Sequence, residues 1–446
     1  MSLPSYSKYK DSGVEWLGNV PEGWGVTKVG FCCDFFTGWT PPTGDESSYD
    51  GDLLWANISD IGKKFLTETA KRISISAVRH YKIRIAPAGS LLFSFKLSIG
   101  QVSIADVPMY TNEAIAIFQS GTKILSHWAY YTFPVFIPKN ASENIYGAKM
   151  LNQYLIKSAK ILLPSVEEQQ NIAAFLDAET ARIDALVAEY ETLIDLLKEK
   201  RQALISQVVT KGLNPDVPMK DSGVEWLGEV PEGWEVKRLR FIAELNPSKS
   251  ECSGIEGDSQ VSFLPMEAVG DDGSLNLEHV RPICEVNSGY TYFREGDVTI
   301  AKITPCFENG KGAVMRGLQG GIGFGTTELI VIRPILQATV GEYIHLLFIS
   351  AHFRKFGESW MYGAGGQKRV PDDFVRNFKV GIPPVAEQHA IATFLDAETS
   401  RMDGLVQEAE NGINLLRERR TTLISDAVTG KIDVRASSAA DMSGKT

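Results

Sequence analysis

One long stretch occurs twice in this chain. Ser165 to Gly212 reads SVEEQQNIAAFLDAETARIDALVAEYETLIDLLKEKRQALISQVVTKG, and 219 positions on, Pro384 to Lys431 reads PVAEQHAIATFLDAETSRMDGLVQEAENGINLLRERRTTLISDAVTGK. In the first copy Leu176, Ile183, Tyr190, Leu197 and Leu204 recur every seven residues, with Leu186 and Leu193 as a second row. In the second, Leu395, Met402, Ala409, Leu416 and Leu423 keep that interval, with Leu405 on the second row. A seven-residue apolar repeat predicts a helix with a narrow seam that another helix must cover. The partner the chain itself supplies is the other copy. About 35 helical residues at roughly 1.5 Å each span about 50 Å, so the pair reads as a spacer.

The flanks repeat as well. Lys10 to Phe31, KDSGVEWLGNVPEGWGVTKVGF, returns as Lys220 to Phe241, KDSGVEWLGEVPEGWEVKRLRF, at an offset of 210. The chain is therefore two tandem halves, each a short motif, a variable globular segment and a long helix. The divisions fall at 1–164 for the first globular segment with its lead-in, 165–218 for the first helical region, 219–384 for the second globular segment, and 385–446 for the second helical region and C-terminal tail. In the lead-ins Trp16 and Trp24, like Trp226 and Trp234, read as structural pins of a turn-rich stretch.

The variable segments barely match, yet each carries the signals of a compact mixed α/β unit. Alternating apolar runs predict strands at Asp52–Ile58, Gly89–Phe95, Glu113–Phe118, Asp297–Ile303 and Glu328–Arg333. Helices are expected near Leu125–Phe136 and Val340–Phe356. Some positions still correspond: Lys96 with Lys302, Tyr110-Thr-Asn-Glu113 with Gly325-Thr-Thr-Glu328, and Tyr146-Gly-Ala-Lys149 with Tyr362 to Arg369. Ser165 with Glu168 is a capping-box pattern at the first long helix; Pro383-Pro384 replaces it in the second. The fold class is α+β, with the two mixed units joined by the long helices as a coiled-coil-like spacer and related as a pseudo-two-fold tandem repeat.

No apolar run approaches the ~20 residues that cross a bilayer, and the first residues lack the apolar core of a signal peptide, so the expected location is cytoplasmic. The five cysteines include no CxxC spacing, and the histidines show no metal-ligand pattern. There is no GxxxxGK[ST] loop and no Asn-Pro-Pro-Tyr tetrapeptide. Gly320 to Gly325 reads as a flexible hairpin rather than a dinucleotide loop, there being no following helix. No catalytic constellation or metal site is expected, and a non-enzymatic role follows.

The formal charge of −10 is unevenly placed. Ser165–Pro218 carries −5 and Val385–Arg435 −3, whereas Phe31–Pro164 is +3 and Phe241–Pro384 −4. Contact with a polyanion must then come from local clusters. In the first unit these are Lys63, Lys64, Lys71, Arg72, Arg79, Lys82 and Arg84, interleaved with aromatics, together with Lys96 and Lys149. In the second they are Lys302, Lys311, Arg316, Gln367, Lys368 and Arg369. Arg and Lys match guanine edges, Gln matches adenine, and all of them reach phosphate. The ~50 Å spacer also exceeds one ~34 Å turn of duplex DNA. The competing reading is a coiled-coil scaffold with two protein-interaction domains that bind no DNA.

The lead-in motif, the LPSVEEQ and IPPVAEQ helix starts with their FLDAET sequels, and GDVTIAKITPCFENGK resemble the specificity subunit of type I restriction-modification systems over nearly the whole chain. The resemblance implies two target recognition domains, each reading half of a split, asymmetric site in double-stranded DNA. It also implies antiparallel packing of the repeated helices, which set the gap between half-sites and dock two methyltransferase subunits. Two motor-nuclease subunits complete such complexes. S-adenosylmethionine, ATP and magnesium belong to those partners, and no cofactor is expected here. The first unit departs from the family pattern at Tyr146–Lys149, where Gly-Gly-Gln is missing.

Overall fold

The computed structural model describes residues 3–42, 44–364 and 366–435. The expected tail at 436–446 and Gly365 of the glycine-rich loop lie outside them. The chain divides into two compact units, Met1–Glu189 with Gly412–Thr446, and Tyr190–Asn411. Four helices frame them: α1 (Ser126–Phe136) and α2 (Val166–Lys211), then α3 (Gly341–Ile349) and α4 (Val385–Val428). The unit boundaries fall inside α2 and α4, so each unit owns half of each long helix.

In unit 1 a five-stranded sheet runs in the order Phe35–Thr37, Ile115–Phe118, Leu91–Ser94, Val102–Ala105, Phe65–Leu66. Helix α1 packs Trp128, Phe133 and Phe136 onto its inner face. A three-stranded sheet of Tyr110–Thr111, Leu53–Ala56 and Lys71–Ile73 lies beside it. In unit 2 one four-stranded sheet orders Ala243–Leu245, Leu329–Pro334, Val298–Ala301 and Gly312–Val314. A second orders Val280–Pro282, Gln260–Leu264, Ile322–Gly325 and Thr291–Arg294. All five expected strands are present, four of them shorter and the fifth shifted by one residue to Leu329–Pro334.

Two expectations for unit 2 are corrected. Gly320 to Gly325 is no flexible hairpin: Ile322–Gly325 is an interior strand. Its glycines let the Phe293 ring lie against the backbone, since a Cβ at Gly323 would sit 2.3 Å from that ring. The helix expected over Val340–Phe356 is two, broken at Ser350. That residue takes an extended conformation and accepts the Phe353 N–H at 3.4 Å, which starts a new helix at Ala351.

The long helices have 46 and 44 residues, about 69 and 66 Å at 1.5 Å per residue, longer than expected. Within unit 1, Ile172 and Leu176 of α2 share a core with Leu423, Ala427 and Val428 of α4, and Arg420 bonds Asp184 at 2.9 Å. Within unit 2, Ile205 and Val208 of α2 share a core with Ile391 and Leu395 of α4, and Arg201 lies 3.4 Å from Asp403. In both units the two helices run antiparallel.

The seven-residue seam is buried over part of its length. Leu176, Ile183, Leu395, Met402 and Ala409 are buried, whereas Tyr190, Leu197, Leu204, Leu416 and Leu423 are only partly covered. The second row, Leu186, Leu193 and Leu405, is 36–43% exposed. Burial also recurs every eleven residues, at Ile183, Ile194 and Ile205 and at Ile391, Met402 and Ile413, and in the first helix it carries past the point where the heptad row surfaces. Eleven residues in three turns is about 3.67 per turn, close to a straight helix, whereas a heptad row drifts by about 20° per repeat unless the helices supercoil.

Candidate nucleic-acid interface

The repeated motifs build the same frame in each unit. Trp24 and Trp234 are both 1% exposed. The end of one long helix meets each tryptophan through a glycine in the left-handed region, Gly430 (φ 73°) beside Trp24 and Gly212 (φ 76°) beside Trp234. A Cβ at Gly430 would lie 2.4 Å from Pro21. The glutamines after each helix start are fully buried and form matching clasps. Gln169 donates to the Lys123 and Pro164 carbonyls at 2.9 and 3.1 Å and accepts the Leu125 N–H at 3.0 Å. Gln388 donates to Ala338 and Pro383 at 3.0 and 2.9 Å and accepts from the Val340 N–H at 3.0 Å and the Thr339 hydroxyl at 2.9 Å. Each clasp ties the start of a long helix to the segment leading into α1 or α3, and so fixes the sheet beneath.

The expected capping box is only half formed. The Glu168 N–H donates to Ser165 Oγ at 3.2 Å, but the Glu168 carboxylate turns to the Tyr6 hydroxyl at 2.8 Å. Its counterpart Glu387 accepts from Trp234 Nε1 at 3.1 Å. The lead-in tryptophan region, rather than the helix backbone, takes this carboxylate.

On this frame the central antiparallel strand pairs, Leu91–Ser94 with Ile115–Phe118 and Val298–Ala301 with Leu329–Pro334, match in register. Ser94 pairs with Ile115 and Ile300 with Ile330, which makes Lys96 equivalent to Lys302 and Glu113 to Glu328. In unit 2 the end of this strand pair meets the loop that runs from Tyr362 to Arg369. Lys302 N–H donates to the Glu328 carbonyl and Val370 N–H to the Lys302 carbonyl, both at 2.8 Å. Thr304 N–H donates to the Lys368 carbonyl at 3.0 Å, and Tyr362 and Arg369 pair through both backbones. The Arg369 guanidinium grips Glu328 with Nε to Oε2 at 2.9 Å and Nη2 to Oε1 at 2.7 Å. Those hydrogen bonds hold the Glu328 carboxyl below its ordinary range despite partial desolvation. Gln367 and Lys368 are exposed on the same loop. Lys302, Gln367, Lys368 and Arg369 are thus brought together. Lys311 stands apart, its ammonium bonded to the Met266 carbonyl at 3.2 Å, and Arg316 pairs with Glu342.

The first unit gathers its cations less tightly. Lys96 is exposed, with Nζ 3.9 Å from Glu113, whose other oxygen accepts from the Thr40 hydroxyl. Burial raises the Glu113 carboxyl, but the Thr40 hydrogen bond helps bring it below its ordinary range. Nearby, Trp39 stacks on Tyr81 with centroids 4.3 Å apart. Arg79 and Lys82 are exposed at the end of Ile75–Tyr81, and Lys82 closes that helix in the left-handed conformation. Arg84 lies over the Phe36 ring at 3.6 Å and Lys71 over Tyr49 at 5.5 Å, while Arg72 bonds Glu68. Lys63 is exposed. Lys64 is held against α2 by Asp177 and lies 5.3–5.4 Å from the rings of Phe65, Tyr130 and Tyr131.

Lys149 sits on a short hairpin, Ser142–Glu143 paired with Lys149–Met150, which precedes a short helix and strand in chain order as the Tyr362–Arg369 loop does in unit 2. Asn144 organises its tip, accepting the Tyr146 and Ala148 N–H groups at 2.9 Å. The tip presents Ile145 and Tyr146, 91% and 86% exposed. Residue types alone had singled out cations and missed Thr40, Glu113, Glu328 and the two clasping glutamines. The signal for the glutamates was their matched place ahead of a strand in both halves.

Among the described residues no group of three His, Cys, Asp or Glu side chains could hold a metal ion, and no helix is long and apolar enough to cross a membrane. A family model described as the type I restriction modification DNA specificity domain matches residues 21–193 and again 231–414. The EcoAI type I restriction enzyme specificity subunit of Escherichia coli is 42% identical over 198 residues, which is 44% of this chain. That match spans 33% of the relative's own length. The MjaVIII specificity subunit of Methanocaldococcus jannaschii is 22% identical over 437 residues, 93% of this chain and 94% of that one. A chain solved in work on complex assembly and conformational transition of the type I R-M system has the same fold, with a TM-score of 0.68 at 14% identity. That likeness covers 92% of this chain and 98% of the other.

Proposed function

The chain belongs to the type I restriction-modification DNA specificity family, and on that premise we propose that it is the non-catalytic DNA-recognition subunit of a restriction-modification complex. Each unit reads one half of a bipartite, asymmetric site in double-stranded DNA. The observation that carries this reading is one hydrogen-bonded frame built twice under two unlike polar surfaces. A surface meant for one repeated ligand would repeat with its frame; a target with two different halves requires the divergence.

In this reading the long helices set the gap between half-sites and dock two methyltransferase subunits. Leu186 and Leu405, and likewise Leu196 and Leu415, are equivalent, identical and exposed. An apolar face offered twice in the same form suits two copies of one partner. Two motor-nuclease subunits join the assembly, and S-adenosylmethionine, ATP and magnesium act on the partners.

Co-expression with a methyltransferase subunit, followed by long-read mapping of methylated adenines across a genome, tests the assignment. The expected result is a split motif with two unlike halves and a fixed gap. A stable complex that methylates nothing would favour a protein-binding scaffold instead.

A further inference from the structure

Both recognition units keep a carboxylate where a polyanion has to approach. Glu113 and Glu328 occupy equivalent places at the end of the central antiparallel strand pair, each beside cations that belong to the candidate interface. A carboxylate facing phosphate is repelled. One retained in such a cluster therefore has to accept a base amino group or to orient a cation that does the reading.

For Glu328 the geometry selects the second role. Both of its oxygens are occupied by one guanidinium, through Arg369 Nε and Nη2. A guanidinium has five N–H donors fixed in one plane. The contact with Glu328 uses the side edge, formed by Nε–H and one N–H of Nη2. The end edge keeps one N–H of Nη1 and the second of Nη2, and among the described residues no hydrogen bond takes Nη1. Two parallel donors on an end edge match the O6 and N7 acceptors of guanine in the major groove. The Arg369 side chain is 38% exposed, so a ligand can reach it.

The backbone makes the aim rigid. Glu328 and residues 369–370 are both hydrogen-bonded to the segment that holds Lys302: Lys302 N–H reaches the Glu328 carbonyl, and Val370 N–H reaches the Lys302 carbonyl. Arg369 is also bridged to Ile303 and to Tyr362. Carboxylate and guanidinium thus stand on adjacent rungs of one ladder, and the fork between them fixes the remaining rotamers of a long side chain.

We propose that Glu328 is a positioning residue that aims Arg369 at a guanine in the half-site read by unit 2. The proposal rests on the DNA-recognition reading given above. It adds a residue that touches no base, and it predicts the identity of one base in the target.

The test uses the full chain with its methyltransferase subunit and reads the methylated sites of the wild type, Glu328→Ala, Glu328→Gln, Arg369→Ala and the Glu328→Ala/Arg369→Ala double variant. Arg369→Ala should lower discrimination at one guanine by about tenfold or more. Glu328→Ala should relax the same position, and Glu328→Gln, which still accepts one bond, should relax it less. The double variant should be no worse than Arg369→Ala alone. An unchanged first half-site shows that each variant is folded and assembled. Wild-type discrimination in Glu328→Ala, relaxation at a different position, or an even loss across both halves would overturn the proposal while leaving the recognition reading intact. Methylation without sequence preference by the wild type would overturn both.

Discussion

Leu91 and Phe118 in unit 1 face each other across two strands at the place where Asp297 and Arg333 face each other in unit 2. All four are buried, and Asp297 is 1% exposed. In unit 1 the position continues a ring cluster, with Phe118 4.8 Å from Phe35 and 4.9 Å from Phe133. In unit 2 Arg333 donates to both Asp297 oxygens at 2.7 and 2.8 Å and reaches Glu251 at 2.6 Å. The sheet needs this pair filled and internally matched; it does not need it apolar. The glutamines that clasp helix to sheet, Gln169 and Gln388, are by contrast the same in both units, because each has to satisfy the same backbone groups.

The largest effect should come from splitting the ionic pair. Asp297→Leu alone leaves a buried guanidinium without its main partner and should destabilise unit 2 by about 3–5 kcal/mol. Asp297→Leu combined with Arg333→Phe installs the unit 1 pair and should recover most or all of that loss in urea unfolding. A double variant as unstable as the single one would break the equivalence of the two positions. Next in size, Gln169→Ala and Gln388→Ala each strand buried backbone groups, at about 1–3 kcal/mol apiece. The losses should be alike in the two units; a loss confined to one would mean that the frame is not shared. Smallest in stability, and directed at binding, is Lys368→Ala. It should leave the melting temperature unchanged, weaken recognition of the unit 2 half-site alone, and lower the salt slope of DNA binding by about one.

The sequence revealed the frame more readily than the interface, for physical reasons. Duplication, strand positions and α1 follow from local pattern, and in each the local preference agrees with the tertiary outcome. The seam is legible only in part because a heptad row and an eleven-residue row cross at one residue, Ile183 in the first helix and Met402 in the second, and diverge along the helix away from it. The strand at Ile322–Gly325 has glycine at two of its four positions, which reads as a loop until the Phe293 ring that needs the space is in view. The half-formed cap at Ser165 depends on Tyr6, 162 residues away from Glu168. Likewise Thr40 meets Glu113 across 73 residues and Arg369 meets Glu328 across 41. Composition identified Arg369 as a cation. Only the fold supplies the carboxylate that fixes its direction.

The central claim is that two exchangeable readers stand on one repeated frame. Its most direct test places a second copy of the unit 2 segment, residues 241–383, where residues 31–164 stand, between the first lead-in and the first long helix. The methylated site of the resulting complex is then mapped. The account predicts a site whose two halves have become the same sequence in inverted orientation, with the original unit 1 half lost. A complex that assembles and still methylates the original asymmetric site would contradict it.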